Sequence, residues 1–193
     1  MLPAAIVSVG AILAYTTMRG PKNLVDLRSS LDGRVYRVQN LPDKQGACDM
    51  MSRIRKNLVS IVERFRDDPN YIQDEPYQRL VTRFNPDVLE ENDMDADSTS
   101  YSENKGEKIV VCLRDKTQAP EYPLVEDNTV MFVLIHELAH LMTFSTGHTP
   151  EFWTNFRKLL QECVQIGVYT PVNYARFPTP YCGMTITDSP LTS

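Results

Sequence analysis

All three histidines of this 193-residue chain fall within 13 residues, from His136 to His148. Two of them lie in residues 129–144, a stretch that is apolar on nearly every side and therefore predicts a helix buried in the centre of the fold. Burying imidazoles and an acid in such a helix is unfavourable unless they find partners. These polar side chains therefore need partners inside the folded protein, and they lie close enough in sequence to share one.

The spacing of these side chains indicates a metal. His136, Glu137 and His140 form the pattern HExxH, in which two histidines four residues apart on a helix point the same way and can hold one zinc ion. Glu137 then faces the open coordination position, where it can deprotonate a water on the metal. Catalytic zinc takes three protein ligands. His148 is the predicted third ligand, and Gly147 permits the turn that brings it back to the helix.

Other interpretations of the pattern are weaker. Glu162, 22 residues after His140, is the alternative third ligand, because it lies near the spacing at which a glutamate completes such sites. The metzincin pattern HExxHxxGxxH fails, since Thr143 replaces its glycine and Thr146 its last histidine. A chance match in a core helix leaves the buried polar side chains unexplained.

The charge argues against nucleic acid as the main partner. The chain has 20 Lys and Arg against 25 Asp and Glu, whereas phosphate binding needs clustered bases. The acidity is concentrated in residues 87–107, which lack an apolar period and predict a mobile acidic loop. Four cysteines without a CxxC pair favour reduced thiols, although two disulfides are compatible with the sequence.

Residues 2–18 are uncharged and almost entirely apolar. As a helix they span about 25 Å, slightly less than a bilayer core. We interpret residues 1–19 as a single transmembrane anchor and residues 20–32 as a linker, with a cleaved signal peptide or a buried or interfacial segment as alternatives. Basic residues follow the apolar run, so the positive-inside rule places the rest of the chain in the cytosol.

The remaining patterns predict short elements around the central helix. Apolar spacing predicts helices over residues 47–66 and about 77–84, and alternation predicts a strand over 33–39. A second strand is expected over 108–113. Thr149, Pro150 and Glu151 supply the N-cap, first-turn proline and first-turn acid of a helix that runs to about Gly167. The tail from Tyr169 is expected to be irregular.

Residues 136–153, HELAHLMTFSTGHTPEFW, resemble the WLM and SprT-like metallopeptidases and their YgjP-like relatives. In these proteins HExxH is followed by a short connection, a third histidine and an aromatic pair. Residues 41–44 and 181–184 are similar to the WLM-type metallopeptidases encoded by large DNA viruses. The resemblance implies that His136, His140 and His148 bind Zn²⁺.

The same resemblance implies that Glu137 is the catalytic base and that the fold is α+β. The expected domain is a small zincin-like metallopeptidase over residues 33–187, with a few-stranded sheet packed on the HExxH helix. An N-terminal apolar helix would precede it, and residues 188–193 would form a tail. Tyr181 is the candidate oxyanion stabiliser, with ordinary packing as its alternative, while Phe152 and Trp153 are expected to pack the two helices together.

The sequence therefore predicts a zinc-dependent metallopeptidase that acts on a protein or peptide substrate. Residues 2–18 would hold it in a membrane as a single-pass protein, with the catalytic domain facing the cytosol. One alternative is a non-catalytic membrane or virion structural protein that zinc stabilises. The other is a DNA–protein crosslink repair protease, against which the acidic charge and the missing basic extension count.

Overall fold

The computed structural model describes residues 23–94, 100–103, 106 and 108–192. These residues form four helices and seven strands, so the fold is α+β as predicted. The helices are α1 (Lys44–Arg66), α2 (Glu75–Arg83), α3 (Asp127–Met142) and α4 (Pro150–Gln165). The strands are β1 (Leu24–Arg28), β2 (Val35–Gln39), β3 (Leu89–Glu91), β4 (Tyr101–Glu103), β5 (Lys108–Val111), β6 (Thr179–Tyr181) and β7 (Met184–Ile186).

Five strands form one mixed sheet in the order β1-β2-β3-β5-β4. The three central strands run parallel, whereas each edge strand runs antiparallel to its neighbour. Helix α1 lies against β1, β2 and β3. Strands β6 and β7 form a separate antiparallel hairpin. Strand β4, which is three residues long, forms the edge of the five-stranded sheet opposite β1.

The helices pack as their apolar patterns predict. Helix α1 buries Ile54, Leu58, Ile61 and Phe65, which are spaced three and four residues apart on one face. Helix α3 is apolar almost all round because it contacts α1, α2 and α4 together. The central position expected for the histidine-bearing helix is confirmed.

Two segments that were expected to be irregular contain strands. Residues 24–28, inside the predicted linker, pair with β2 over their whole length. The predicted acidic loop contributes β3 and β4. Glu91 of β3 is only 1% exposed and accepts a hydrogen bond from Arg114, which is equally buried, at 2.9 Å. This long-range ion pair stabilises an acidic residue inside the sheet, where composition alone predicts a solvated loop.

The tail is also more regular than expected. Residues 181–184 turn sharply between β6 and β7, with Cys182 and Gly183 at φ of 50° and 86°. A disulfide joins Cys182 to Cys112, just after β5, so the expectation of four reduced cysteines is wrong for this pair. Cys48 and Cys163 are free and buried. The hairpin is thus fastened to the sheet by a bond between residues 70 positions apart.

Among the helices of the described residues, none combines the length and apolar character that a membrane span requires. The anchor predicted over residues 2–18 lies outside the described residues. The membrane anchor and the cytosolic location therefore stay predictions from the sequence.

Reduction of the Cys112–Cys182 disulfide is expected to lower the free energy of unfolding by about 2–4 kcal/mol, because the bond restricts a long loop of the unfolded chain. Urea unfolding with and without dithiothreitol measures this change. A Cys112→Ser, Cys182→Ser double variant serves as the control and should be insensitive to the reductant. Equal unfolding midpoints for the oxidised and reduced wild type would contradict the prediction.

Candidate metal centre

Local structure explains how the three histidines meet. His136 and His140 lie one turn apart on α3, which ends at Met142. The chain then turns through Gly147, whose φ of 83° suits glycine, and α4 begins after Thr149. The Thr149 side chain accepts a hydrogen bond from the Phe152 amide, which confirms the predicted N-cap. His148 is consequently presented to α3 from the connection between the two helices.

The ring nitrogens of the three histidines converge. The Nε2 atom of His136 lies 3.2 Å from Nε2 of His140 and 3.1 Å from Nε2 of His148. Together the three side chains form a group that could hold a metal ion. Glu162, the alternative third ligand, does not join the group, because its carboxylate accepts a 2.9 Å bond from Arg64 in α1.

An aromatic side chain supports the back of this group. The Phe152 ring is fully buried, and its centroid lies 4.8 Å from that of His136, 4.3 Å from that of His140 and 4.8 Å from that of His148. Burial, followed by the nearby charges of His140 and His148, lowers the pKa of His136 to about 3. The imidazole is thus neutral, which is the form that binds metals. The packing role expected for Phe152 agrees with these contacts, whereas Trp153 is 46% exposed.

Glu137 lies beside the histidines and is bound to the sheet. Its Oε2 accepts a hydrogen bond from the backbone N–H of Ser102 in β4, at 3.1 Å. Burial raises the pKa of the Glu137 carboxyl to about 7, and the bond from Ser102 opposes that rise. Such a carboxyl can take up and release a proton near neutral pH. Sequence reasoning missed Ser102, because the acidic segment around it gives no signal of a strand.

These groups line a cleft of about 700 Å³, within the range of ligand-binding pockets. Strand β4, helix α3, the connection before α4 and the β6–β7 hairpin all contribute to its walls. The lining residues are Ser100, Tyr101, Ser102, Phe132, Val133, His136, Glu137, His140, Ser145, Thr146, Gly147, His148, Tyr181, Met184, Thr185, Ile186, Thr187 and Asp188. The histidine group and Glu137 therefore share one accessible site.

Tyr181 lines the same cleft, but its hydroxyl is held by the protein. It donates to the Cys112 carbonyl at 2.9 Å and lies 2.6 Å from Oγ of Ser100. That serine oxygen also accepts from the Cys112 amide at 2.9 Å. Burial raises the pKa of Tyr181, which keeps the phenol protonated. These contacts fasten the hairpin to the residues just after β5 and just before β4, and the oxyanion role of Tyr181 stays a prediction.

Comparison with known protein families finds a match over the middle and later part of the chain. Residues 87–176, from the end of the α2–β3 connection to beyond α4, match the WLM domain. The matched segment contains all three histidines and Glu137.

Similar proteins occur in large DNA viruses. The uncharacterized protein R325 of Acanthamoeba polyphaga mimivirus is 28% identical over 185 residues, which cover 95% of this chain and 92% of that protein. The uncharacterized protein 042R of Invertebrate iridescent virus 3 is 38% identical over 89 residues, 46% of this chain and 52% of that protein. The crystal structure of Wss1 from Saccharomyces cerevisiae superposes with a TM-score of 0.48 at 20% identity, covering 67% of this chain and 88% of that one.

The histidine group predicts one bound metal ion per chain. His148→Ala should lose most of this metal, because two histidines of one helix then remain as ligands. Glu162→Gln is the control and should bind as much metal as the wild type, since Glu162 pairs with Arg64 instead. Elemental analysis of the purified proteins measures the metal content. Equal content in His148→Ala and wild type would remove His148 from the ligand set.

Proposed function

Because the chain is a WLM-type protein of the kind that large DNA viruses encode, we propose that it is a zinc-dependent metallopeptidase. The observation that carries the proposal is the convergence of three imidazole nitrogens beside the Glu137 carboxylate in an open cleft. The proposed ligands are His136, His140 and His148, and the proposed base is Glu137.

The geometry of the histidines supports zinc. A tetrahedral zinc ion with Zn–N bonds of about 2.0–2.1 Å has edges of about 3.3–3.4 Å between its nitrogen ligands. The two short Nε2–Nε2 distances of 3.1 and 3.2 Å are close to that edge. Imidazole ligands also suit zinc better than magnesium or calcium, which prefer oxygen. When bound, the zinc supplies a Lewis acid that lowers the pKa of a water and polarises a peptide carbonyl.

The protein side chains then handle the proton. Glu137 takes a proton from the attacking water and delivers it to the amine of the leaving peptide. The Ser102 amide orients the carboxylate for this transfer through its hydrogen bond to Oε2. A carboxyl whose pKa lies near 7 exchanges protons readily in both directions at neutral pH.

The shape of the cleft supports a protein or peptide substrate. Strand β4 forms one wall and is the edge of its sheet. An extended peptide can bind along such an edge through its main chain. The hairpin also lines the cleft, and its half-exposed Met184 offers apolar surface to substrate side chains.

The rival function is a zinc site that only stabilises the fold. Structural zinc sites are normally closed by four protein ligands. The group found among the described residues has three members, and all three line the open cleft together with Glu137. This arrangement supports a position left for water and substrate, and hence the enzyme.

Glu137→Gln should retain zinc but lower peptide cleavage about 10²–10⁴-fold, because the amide cannot accept the proton. Cleavage of a mixture of unfolded peptides, followed by mass spectrometry, measures the loss, and elemental analysis measures the zinc. Glu126→Gln is the matched control, since Glu126 precedes the same helix without making a side-chain cap bond. Wild-type rates in Glu137→Gln would refute the proposed base.

The same assay tests the alternative of a DNA–protein crosslink repair protease. Single- and double-stranded DNA are added to the peptide mixture and to a DNA-bound protein substrate. We expect no stimulation, because the chain carries a net charge of −5. Cleavage that depends on DNA would support the repair function instead.

Tyr181→Phe separates the structural role of the phenol from the predicted oxyanion role. From its bonds to Cys112 and Ser100, we expect a loss of about 1 kcal/mol in the free energy of unfolding and little change in kcat. Urea unfolding and steady-state kinetics measure the two quantities. A fall in kcat of about 10²-fold at unchanged stability would indicate an oxyanion donor instead.

A further inference from the structure

The third histidine lies on a short connection that other elements hold in place. We call residues 143–149, between α3 and α4, the ligand loop. His136 and His140 are fixed by their helix, whereas the position of His148 depends on how this loop is folded. The contacts of the loop therefore bear directly on whether three ligands can meet.

Two arginines of α2 hold the beginning of the ligand loop. Arg79 Nε donates to the Met142 carbonyl at 2.7 Å. Arg83 Nη1 donates to the carbonyls of Leu141 at 2.8 Å and Thr143 at 3.3 Å. Carbonyls at the end of a helix lack partners within the helix, and cations are favourable there. These bonds fix the point at which the chain leaves α3.

Glu151, in the first turn of α4, reaches back to the next two residues of the loop. Its Oε1 accepts the Phe144 amide at 2.9 Å, and its Oε2 accepts both the amide of Ser145 at 3.1 Å and its hydroxyl at 2.7 Å. These bonds, the Phe144 amide first, lower the pKa of the Glu151 carboxyl to about 2. Arg79 also contacts Oε1, at 3.4 Å. One carboxylate thus joins the loop, α4 and α2.

Only three residues of the loop remain between these fixed points. Oγ of Ser145 lies 2.7 Å from Oγ1 of Thr149, so the two ends of the arc are joined directly. Between them lie Thr146, Gly147 and His148. The positions of Ser145 and Thr149 therefore limit where His148 can lie.

We propose that Glu151, held by Arg79, is a positioning residue that folds the ligand loop so that His148 completes the metal site. This inference rests on the metal-binding part of the proposed function and not on peptide cleavage. Glu151 acts through the backbone and hydroxyl of the loop. Its carboxylate accepts three hydrogen bonds from the loop on two oxygens, and a glutamine amide nitrogen cannot accept those made to one of them.

The first measurement is zinc affinity, by competition with a chelator in the full chain. Glu151→Gln should weaken zinc binding by about tenfold or more, because hydrogen bonds to a charged group that hold the ligand loop are lost. Glu162→Gln is the matched control, because Glu162 also lies on α4 and pairs with an arginine of another helix, Arg64. Its zinc affinity should equal that of the wild type.

The second measurement distinguishes positioning from a general loss of stability. Cobalt(II) replaces zinc, and its visible absorption reports the ligand set. Glu151→Gln should shift this spectrum towards that of His148→Ala, while Glu162→Gln should keep the wild-type spectrum. Ser145→Ala removes one of the three bonds to Glu151 and should shift it in the same direction by less. If Glu151→Gln fails to fold, the spectrum of Ser145→Ala alone tests whether the contacts of Glu151 position His148.

Equal zinc affinities and equal cobalt spectra for Glu151→Gln and Glu162→Gln would overturn the inference and leave the peptidase proposal intact. If Glu151→Gln does not fold, a wild-type cobalt spectrum in Ser145→Ala would overturn the inference instead. Tight zinc binding without peptide cleavage by the wild type overturns the peptidase proposal alone. A wild type that binds no zinc overturns both.

Discussion

Three imidazole nitrogens meet in the cleft, where Nε2 of His136 lies 3.2 Å from that of His140 and 3.1 Å from that of His148, and α3, the ligand loop and Phe152 surround them. Neutral imidazoles packed this closely around Phe152 need a shared cation or proton between them. Burial favours the neutral, metal-binding state of His136. The apolar helices therefore stabilise the core and at the same time prepare the ligands.

The sheet completes this site from the other side. Strand β4 carries the Ser102 amide to Glu137, and β5 leads to Cys112, which holds the hairpin through the disulfide and through Tyr181. The cleft is thus built from the edge of the sheet, the hairpin and α3. Cys112 bonds both to Tyr181 of the hairpin and to Ser100, just before β4. Loosening the hairpin would therefore also disturb the strand whose Ser102 amide contacts Glu137.

Local chemistry made the helical half of the site predictable. The HExxH spacing, the apolar surroundings and the Thr149 N-cap are all properties of neighbouring residues, and the structure has α3, α4 and the converging histidines that they predict. The strands β1, β3 and β4 were missed because distant partners decide them. Glu91 is paired in the sheet with Arg114, 23 residues away, and Cys182 is bonded to Cys112, 70 residues away.

The three histidines also differ in whether neighbouring or distant residues set their positions. Helix geometry alone sets the distance between His136 and His140, so their pairing survives most changes elsewhere. Seven residues separate His140 from His148, and a connection of that length by itself can adopt many conformations. Contacts from α2 and the first turn of α4 select one of them. Arg79 and Arg83, which are distant from His148 in sequence, therefore help to shape the loop that carries it, and the spacing of the histidines alone does not predict these contacts.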